Sequence, residues 1–348
     1  MDFGYAVANQ PIRIRMIHYL FRHNKDYSRF NIIKYLLKDF TCKEDIFILL
    51  PFSKNQFLKH FLKRNRIIND FFISNYDTYV YDRLKIGKYN PRAWWKYAQD
   101  WINFRFSKYL LSDTQAHFEY WQSLFGPFKG RHFVLPVLAD TSIYYPQTTP
   151  LEHERKHILF YGSFIPLHGI DVILKAFSLL EREGIPFRAK IIGKGQTYPE
   201  MKALWDFLGL QNVEMKGEFI PEEALAQEIR RSDIVLGIFG NSVKAHSVVP
   251  NKAYQALACQ KALITMNSAT LNEFFDENDM LTCNNTPEAL AEAIRTLISN
   301  DVLLKAYQTN GYRTFQQLKD QTKQRFQTFI KEIDRTLSCA CSFNTKTK

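Results

Sequence analysis

Three stretches of this chain combine residue types that can hold an anion. The first is Gly162-Ser163-Phe164-Ile165-Pro166-Leu167-His168-Gly169, between a β-branched run and a helical run. Free backbone N–H groups at a helix start attract phosphate, and glycine lets an anion approach the chain closely. The second is Gly193-Lys194-Gly195, a weaker signal because any tight turn favours glycine. The third is Pro250-Asn251-Lys252-Ala253-Tyr254-Gln255-Ala256-Leu257-Ala258, a proline-started helix with Asn251, Lys252 and Gln255 at helical spacing on one face. Each stretch alone is what an ordinary turn or a solvent-facing helix would show. Three of them at successive strand ends point to one crevice. His117, four residues after Asp113, is a candidate for proton transfer, set against the commoner reading of a satisfied surface histidine. No Asp-x-Asp pair follows any predicted strand, so the pattern calls for no divalent metal and no other cofactor.

The elements that must position these residues follow from periodicity. From Lys156 onward, strands are predicted at 157–161, 189–192, 213–215, 234–238 and 262–265, with helices at 171–183, 200–208, 222–231 and 251–259 between them. Single helices alternating with strands give a parallel, doubly wound α/β sheet, which binds ligands at the carboxyl ends of its strands. The first half reads as a second, less regular α/β lobe. Strands are expected at 14–19, 45–50, 67–74 and 110–113, and helices at 29–38, 55–64 and 91–111, with another helix entered from the last strand and running through Gln122. The segment 140–154 reads as a linker, giving lobes of 1–150 and 151–337 and an unstructured tail at 338–348.

Length and composition suit two globular lobes: 348 residues, 46% hydrophobic and 23% charged. No apolar run approaches the roughly 20 residues of a membrane span, and no signal peptide opens the chain, so a cytoplasmic location is expected. The five cysteines are scattered, which suits a reducing compartment. Cys339 and Cys341 lack the further ligands of a zinc site. The net charge of +11 is concentrated in residues 1–150, with 22 Lys+Arg against 12 Asp+Glu, where the remainder has 24 against 23. Around Asn55–Ile67, Phe57, Leu58, Phe61 and Leu62 share a helical face beside Lys54, Lys59, Lys63, Arg64 and Arg66. From Pro91, Trp94, Trp95, Tyr97, Trp101, Phe104, Phe106 and Tyr109 are interleaved with Arg92, Lys96, Arg105 and Lys108. Basic and aromatic residues together suit an anionic membrane surface on the inner face of the cell membrane, against the alternative of core helices with a solvated basic edge. Nucleic acid could use the same features but would not explain the second half, so no nucleic-acid partner is expected.

The runs YGSFIPLHGID, IIGKG, NVEMKGEF, SDIVLGIFG, VVPNKAYQALACQKALIT and TPEALAEAI, spanning 160–300, resemble the donor-binding lobe of the large retaining glycosyltransferase family 4, the glycosyl transferases group 1. The first half resembles the family more loosely, through DYSR at 26–29, NDFFISNYDTYVYDR at 69–83, LLSDTQAH at 110–117 and VLPVLADTSIYYP. The resemblance implies the GT-B architecture of two Rossmann-like lobes, with a nucleotide-sugar donor on residues 151–337 and an acceptor- and membrane-facing lobe at 1–150. It implies a diphosphate on the Gly162–Gly169 loop, with Ser163 and His168 where the family often has Arg and Lys. Gly193, Gly195, Asn251 and Lys252 complete that crevice, and Lys252 could supply the cation the loop lacks. Gln255 stands at the second carboxylate of the family's paired-glutamate motif and Ser247 at the first, so both negative charges are gone. Glu273 falls where the family has a glutamate supporting the donor sugar.

Tyr27 and Arg29 are implied to contact acceptor or phosphate. Asp70, Asp77 and His117 are the catalytic-side candidates, with Asp70 and Asp77 assigned to sugar or acceptor contact. The expected activity is retaining transfer to a lipid-linked, lipopolysaccharide or cell-surface polysaccharide acceptor. The alternative is a catalytically silent scaffold that binds nucleotide or a partner protein.

Overall fold

The computed structural model describes residues 30–33, 46–49, 54–147 and 154–344, without the side chains of 30–33, 334 and 337–344. Its contacts define two compact units. One is Leu138–Leu318; the other comprises the described residues up to Val137 and those from Lys319 on. Each contains one parallel sheet, which gives the α/β, GT-B type of architecture.

In the second-half unit the strands are β6 (Lys156–Tyr161), β7 (Phe187–Ile192), β8 (Val213–Lys216), β9 (Ile234–Leu236), β10 (Ala262–Met266) and β11 (Leu281–Cys283), in the order β11-β10-β9-β6-β7-β8. The order reverses between β6 and β9, and such a switch point opens a crevice at the carboxyl ends of the strands. Parallel neighbours need crossovers, which here are α4 (Ile170–Arg182), α5 (Tyr198–Leu208), α6 (Glu222–Arg231), and α7 (Val243–Ser247) with α8 (Asn251–Ala258). Helix α4 forms because Ile170, Ile173, Leu174, Phe177 and Leu180 recur on one face, and all are buried in the core with Phe160, Phe187 and Ile191. Helix α9 (Pro287–Ser299) starts at a proline, and the Thr286 hydroxyl accepts from the Ala289 N–H. The last helix, α10 (Asp301–Asn344), runs on through residues 338–344, where the sequence had suggested an unstructured tail.

The first-half unit has strands β1 (Phe30–Ile33), β2 (Ile46–Leu49), β3 (Ile67–Asp70), β4 (Tyr109–Ser112) and β5 (Arg131–Val134), in that order, with helices α1 (Lys54–Lys59), α2 (Pro91–Phe106) and α3 (Gln115–Phe125). β1 lies inside the predicted helix 29–38. Asn31-Ile32-Ile33 and the leucines after it fit either period, and pairing with β2 decides in favour of a strand. The predicted strand 14–19 and residues Tyr27 and Arg29 lie outside the described residues.

The expected amphipathic helix 55–67 is also revised. α1 stops at Lys59, a tighter turn follows from Phe61 to Arg66, and Phe57 is fully buried in a core cluster with Phe61 packed against it. Its apolar face therefore points inward, and Leu62 is left exposed. Along α2, Phe104 is core and Tyr97 packs against the same cluster, while Trp94, Trp95, Trp101 and Phe106 remain exposed. Among the described residues, no helix is long and apolar enough to cross a membrane.

Candidate functional site

At the switch point, the loops after β6 and β9 are joined backbone to backbone. The Phe239 N–H donates to the His168 carbonyl at 3.1 Å, and the Gly240 N–H donates to the Leu167 carbonyl at 3.1 Å. Gly169 has φ +60°, and a Cβ there would lie 2.3 Å from the Phe239 carbonyl oxygen. The loop after β7 is equally close: a Cβ on Gly193 would lie 1.9 Å from the Gly162 carbonyl oxygen. The glycines that looked like ordinary turn residues are thus what lets three strand-end loops converge.

Over these loops stands the first turn of α8. No side chain caps its N-terminus and no acidic residue occupies its first turn, so its dipole favours an anion. Lys252 is only 4% exposed, lies 4.8 Å over the Phe160 ring, and has its Nζ 3.3 Å from where a Gly162 Cβ would be. Among the described residues no carboxylate pairs with it. Burial lowers its pKa from 10.5 to about 7. His168 is buried beside it, and its Nδ1–H donates to the Ser163 carbonyl. Burial, and next the Lys252 charge, hold its pKa well below the ordinary value, so the imidazole is neutral. His168 therefore fixes the loop, and Lys252 is the cation. Lys194 is exposed on its turn, 5.5 Å over the Phe219 ring.

Gln255, one turn further along α8, is buried. Its Oε1 accepts from the Tyr161 hydroxyl at 2.8 Å, and its Nε2 donates to the Tyr144 hydroxyl at 2.9 Å. Tyr144 lies in the segment that read as a linker, yet it is 1% exposed. No sequence pattern connects these tyrosines, 111 and 94 residues from Gln255. Ser247 closes α7, with its hydroxyl donating to the Val243 carbonyl at 2.9 Å. Asn251 is half-buried at the start of α8. Glu273 ends a short helical turn, Ala269–Glu273, after β10. Gly195 borders the same loops: a Cβ on it would lie 2.7 Å from the Phe164 carbonyl oxygen. Gly162, His168, Gly193 and Lys252 thus lie together, and beside them Gln255 serves an internal bridge.

The described first-half candidates, Asp70, Asp77 and His117, are all buried. Asp70 ends β3. Asp77 accepts from the Tyr120 hydroxyl at 2.7 Å, and burial together with that carboxylate raises the Tyr120 pKa. His117 is 2% exposed, which corrects the surface reading. Its Nδ1 faces Asp113 Oδ1 at 2.8 Å, and its Nε2 has no partner among the described residues. Its ring stacks on that of Tyr120, which links it to Asp77.

Residues 145–314 match the family described as Glycosyl transferases group 1, and the fold and crevice agree. The donor-side lobe is thus similar to the domain that defines this class of sugar-transferring enzymes. The chain is 28% identical over 162 residues to the uncharacterized glycosyltransferase MJ1178 of Methanocaldococcus jannaschii, a match covering 44% of this chain and 41% of that protein. Across most of the chain, the fold is similar to sucrose-phosphate synthase from Thermosynechococcus elongatus, with TM-score 0.66 and 12% identity over 97% of this chain and 81% of that one. It is also similar to Anabaena HepE in complex with UDP and glucose, with TM-score 0.62 and 14% identity over 83% of this chain and 78% of that one.

Proposed function

We propose that the protein is a glycosyltransferase that uses a nucleotide-sugar donor and acts, with retention, on a lipid-linked, lipopolysaccharide or cell-surface polysaccharide acceptor at the inner face of the cell membrane. The observation that carries the donor part is Lys252, a buried ammonium without a carboxylate partner among the described residues, set beside Gly162 and at the start of α8. Desolvating a charge is costly unless something opposite meets it, and a diphosphate on the Gly162–Gly169 loop would do so. Lys252 and the first N–H groups of α8 would then balance the charge on the leaving diphosphate, without a metal. The UDP and glucose in the Anabaena structure make UDP-sugars the first donors to try.

The membrane part rests on α2. Trp94 and Trp95 are each 65% exposed on a helix that also carries Arg92 and Lys96. Exposed rings beside cations suit the headgroup layer of an anionic leaflet.

A scaffold that binds nucleotide without turnover is the second reading, favoured by the engagement of Gln255 with Tyr161 and Tyr144. The test is a thermal-shift screen against nucleotide-sugars, followed by assay of nucleoside diphosphate release with and without anionic vesicles. Stabilisation plus release supports the enzyme. Stabilisation by every active ligand with no release supports the scaffold, and no stabilisation by any nucleotide overturns both.

A further inference from the structure

At the opposite end of the donor-side sheet, the amino-terminal parts of β6, β7 and β8 border a pocket of about 540 Å³. Along β7, buried Phe187, Ala189 and Ile191 alternate with the more exposed Arg188 and Lys190, which therefore share a face. Register sets Arg188 beside His157 and Lys190 beside Glu214. Parallel sheets are ordinarily covered by helices on both faces. Here the apolar face of β7 joins the core, whereas this face carries charge and opens into the pocket.

The charges in the pocket do not cancel. The Lys190 ammonium lies 2.9 Å from Glu228 and 3.8 Å from Glu214, and Lys216 lies 3.4 Å from Glu214. Lys216 lies outside the lining, so within it the two carboxylates, Glu214 and Glu228, face four cations. Arg155, Arg188 and Arg231 also line the pocket, and none has an ion-pair partner among the described residues. Three arginines lining one concavity of small-molecule size suit phosphate, because the planar fork of arginine meets phosphate oxygens two at a time. Arg188 lies five residues before Gly193, about 16 Å along the chain, and the lining residues nearest the donor loops, Leu159 and Lys190, lie three residues before Gly162 and Gly193, about 10 Å.

We propose that this pocket is a second anion site, separate from the donor crevice, that binds a small phosphorylated molecule. Its independence from the sugar-transfer reading follows from its position at the amino ends of the strands. A soluble ligand is favoured over a lipid surface because the arginines line a concavity.

The experiment is calorimetric titration of inorganic pyrophosphate into wild type, the triple variant Arg155→Ala/Arg188→Ala/Arg231→Ala, and Lys252→Met. Wild type is expected to show a binding component that survives Lys252→Met and weakens at least about tenfold in the triple variant, with UDP binding by the triple variant unchanged. All three arginines are exposed, so cooperative unfolding is expected to persist. If it does not, Arg188→Gln carries the test, with an expected loss of about threefold. Pyrophosphate binding that disappears in Lys252→Met and persists in the triple variant places the ligand in the donor crevice and overturns the proposal. So does the absence of any binding. Capture by phosphatidylglycerol vesicles that depends on the three arginines, without pyrophosphate binding, also overturns it in favour of a membrane contact.

Discussion

Each half of the molecule buries a lysine against an aromatic ring. Lys54 is 4% exposed, with its ammonium 4.2 Å over Phe71; Lys252 is 4% exposed, 4.8 Å over Phe160. They differ in what neutralises them. Lys54 is paired with Asp100, whose second oxygen accepts from the Ser74 hydroxyl and the Tyr76 N–H, each at 2.7 Å. Nearby, Asn69, Asn103 and Ser107 close a second buried polar cluster. The Lys54–Asp100 pair is thus neutralised internally, as a structural network must be. Lys252 has no such carboxylate among the described residues and lies where glycines let the strand-end loops converge.

The largest expected effect is on the paired lysine. Asp100→Asn leaves the Lys54 charge buried without its counterion, and unfolding in urea is expected to lose about 3–5 kcal/mol of stability. A loss under 1 kcal/mol would mean that the pair is not the organising contact of that lobe. Lys252→Met is expected to act oppositely, because it removes a charge that folding desolvates. The apo protein gains at least about 1.4 kcal/mol, the equivalent of one pKa unit, while UDP binding falls by about 1.5–3 kcal/mol, or roughly 10- to 150-fold.

The pH dependence separates the two causes. The folded protein releases the Lys252 proton near pH 7 and the unfolded chain near 10.5, so between these values unfolding takes up a proton. The wild-type deficit relative to Lys252→Met should therefore be full below pH 7 and close as pH rises toward 10.5. Nucleotide affinity of the wild type should fall as pH rises above about 7, and an affinity flat from pH 6 to 9 would remove Lys252 from the site.

Gln255 tests how far the donor crevice extends along α8. Gln255→Leu removes a bridge between two buried tyrosine hydroxyls and is expected to cost about 1–3 kcal/mol of stability. If the side chain also holds ribose, UDP affinity falls with it, and Gln255→Glu, which can still accept from both tyrosines, restores the binding. A stability loss with unchanged affinity confines Gln255 to the bridge.

Much of the donor-side lobe was legible because alternation of β-branched and helical runs fixes a parallel sheet, and the strand ends then locate the loops. Gly162, Gly193 and Lys252 were singled out in that way, and the structure brings them together. The missing counterion of Lys252 was not legible, since it depends on what all the other chain segments bring near. The Tyr144–Gln255–Tyr161 bridge was hidden for the same reason. In the first half, pattern showed which residues were apolar but not which side the core lay on. Phe57 and Trp94 looked alike in sequence, yet Phe57 is core and Trp94 is exposed.

The smallest effect expected is at Lys194, and it guards the comparison against a trivial reading. Lys194 lies on the turn after β7, in the same glycine-rich loop region as the crevice, and carries the same charge as Lys252. General electrostatic attraction of an anionic nucleotide would draw on both lysines. Specific capture draws on the buried one, because an exposed charge is solvated and screened beyond about 8 Å at physiological salt. Lys194→Ala is therefore expected to change UDP affinity by less than about threefold at low salt and not measurably at physiological salt, and its stability by no more than about 0.5 kcal/mol. The Lys252→Met deficit should persist in both salts, because its ammonium is shielded from the ions that screen Lys194. Equal losses in the two variants, both erased by salt, would show that the crevice attracts nucleotide only through its field and that the burial of Lys252 has no part in recognition.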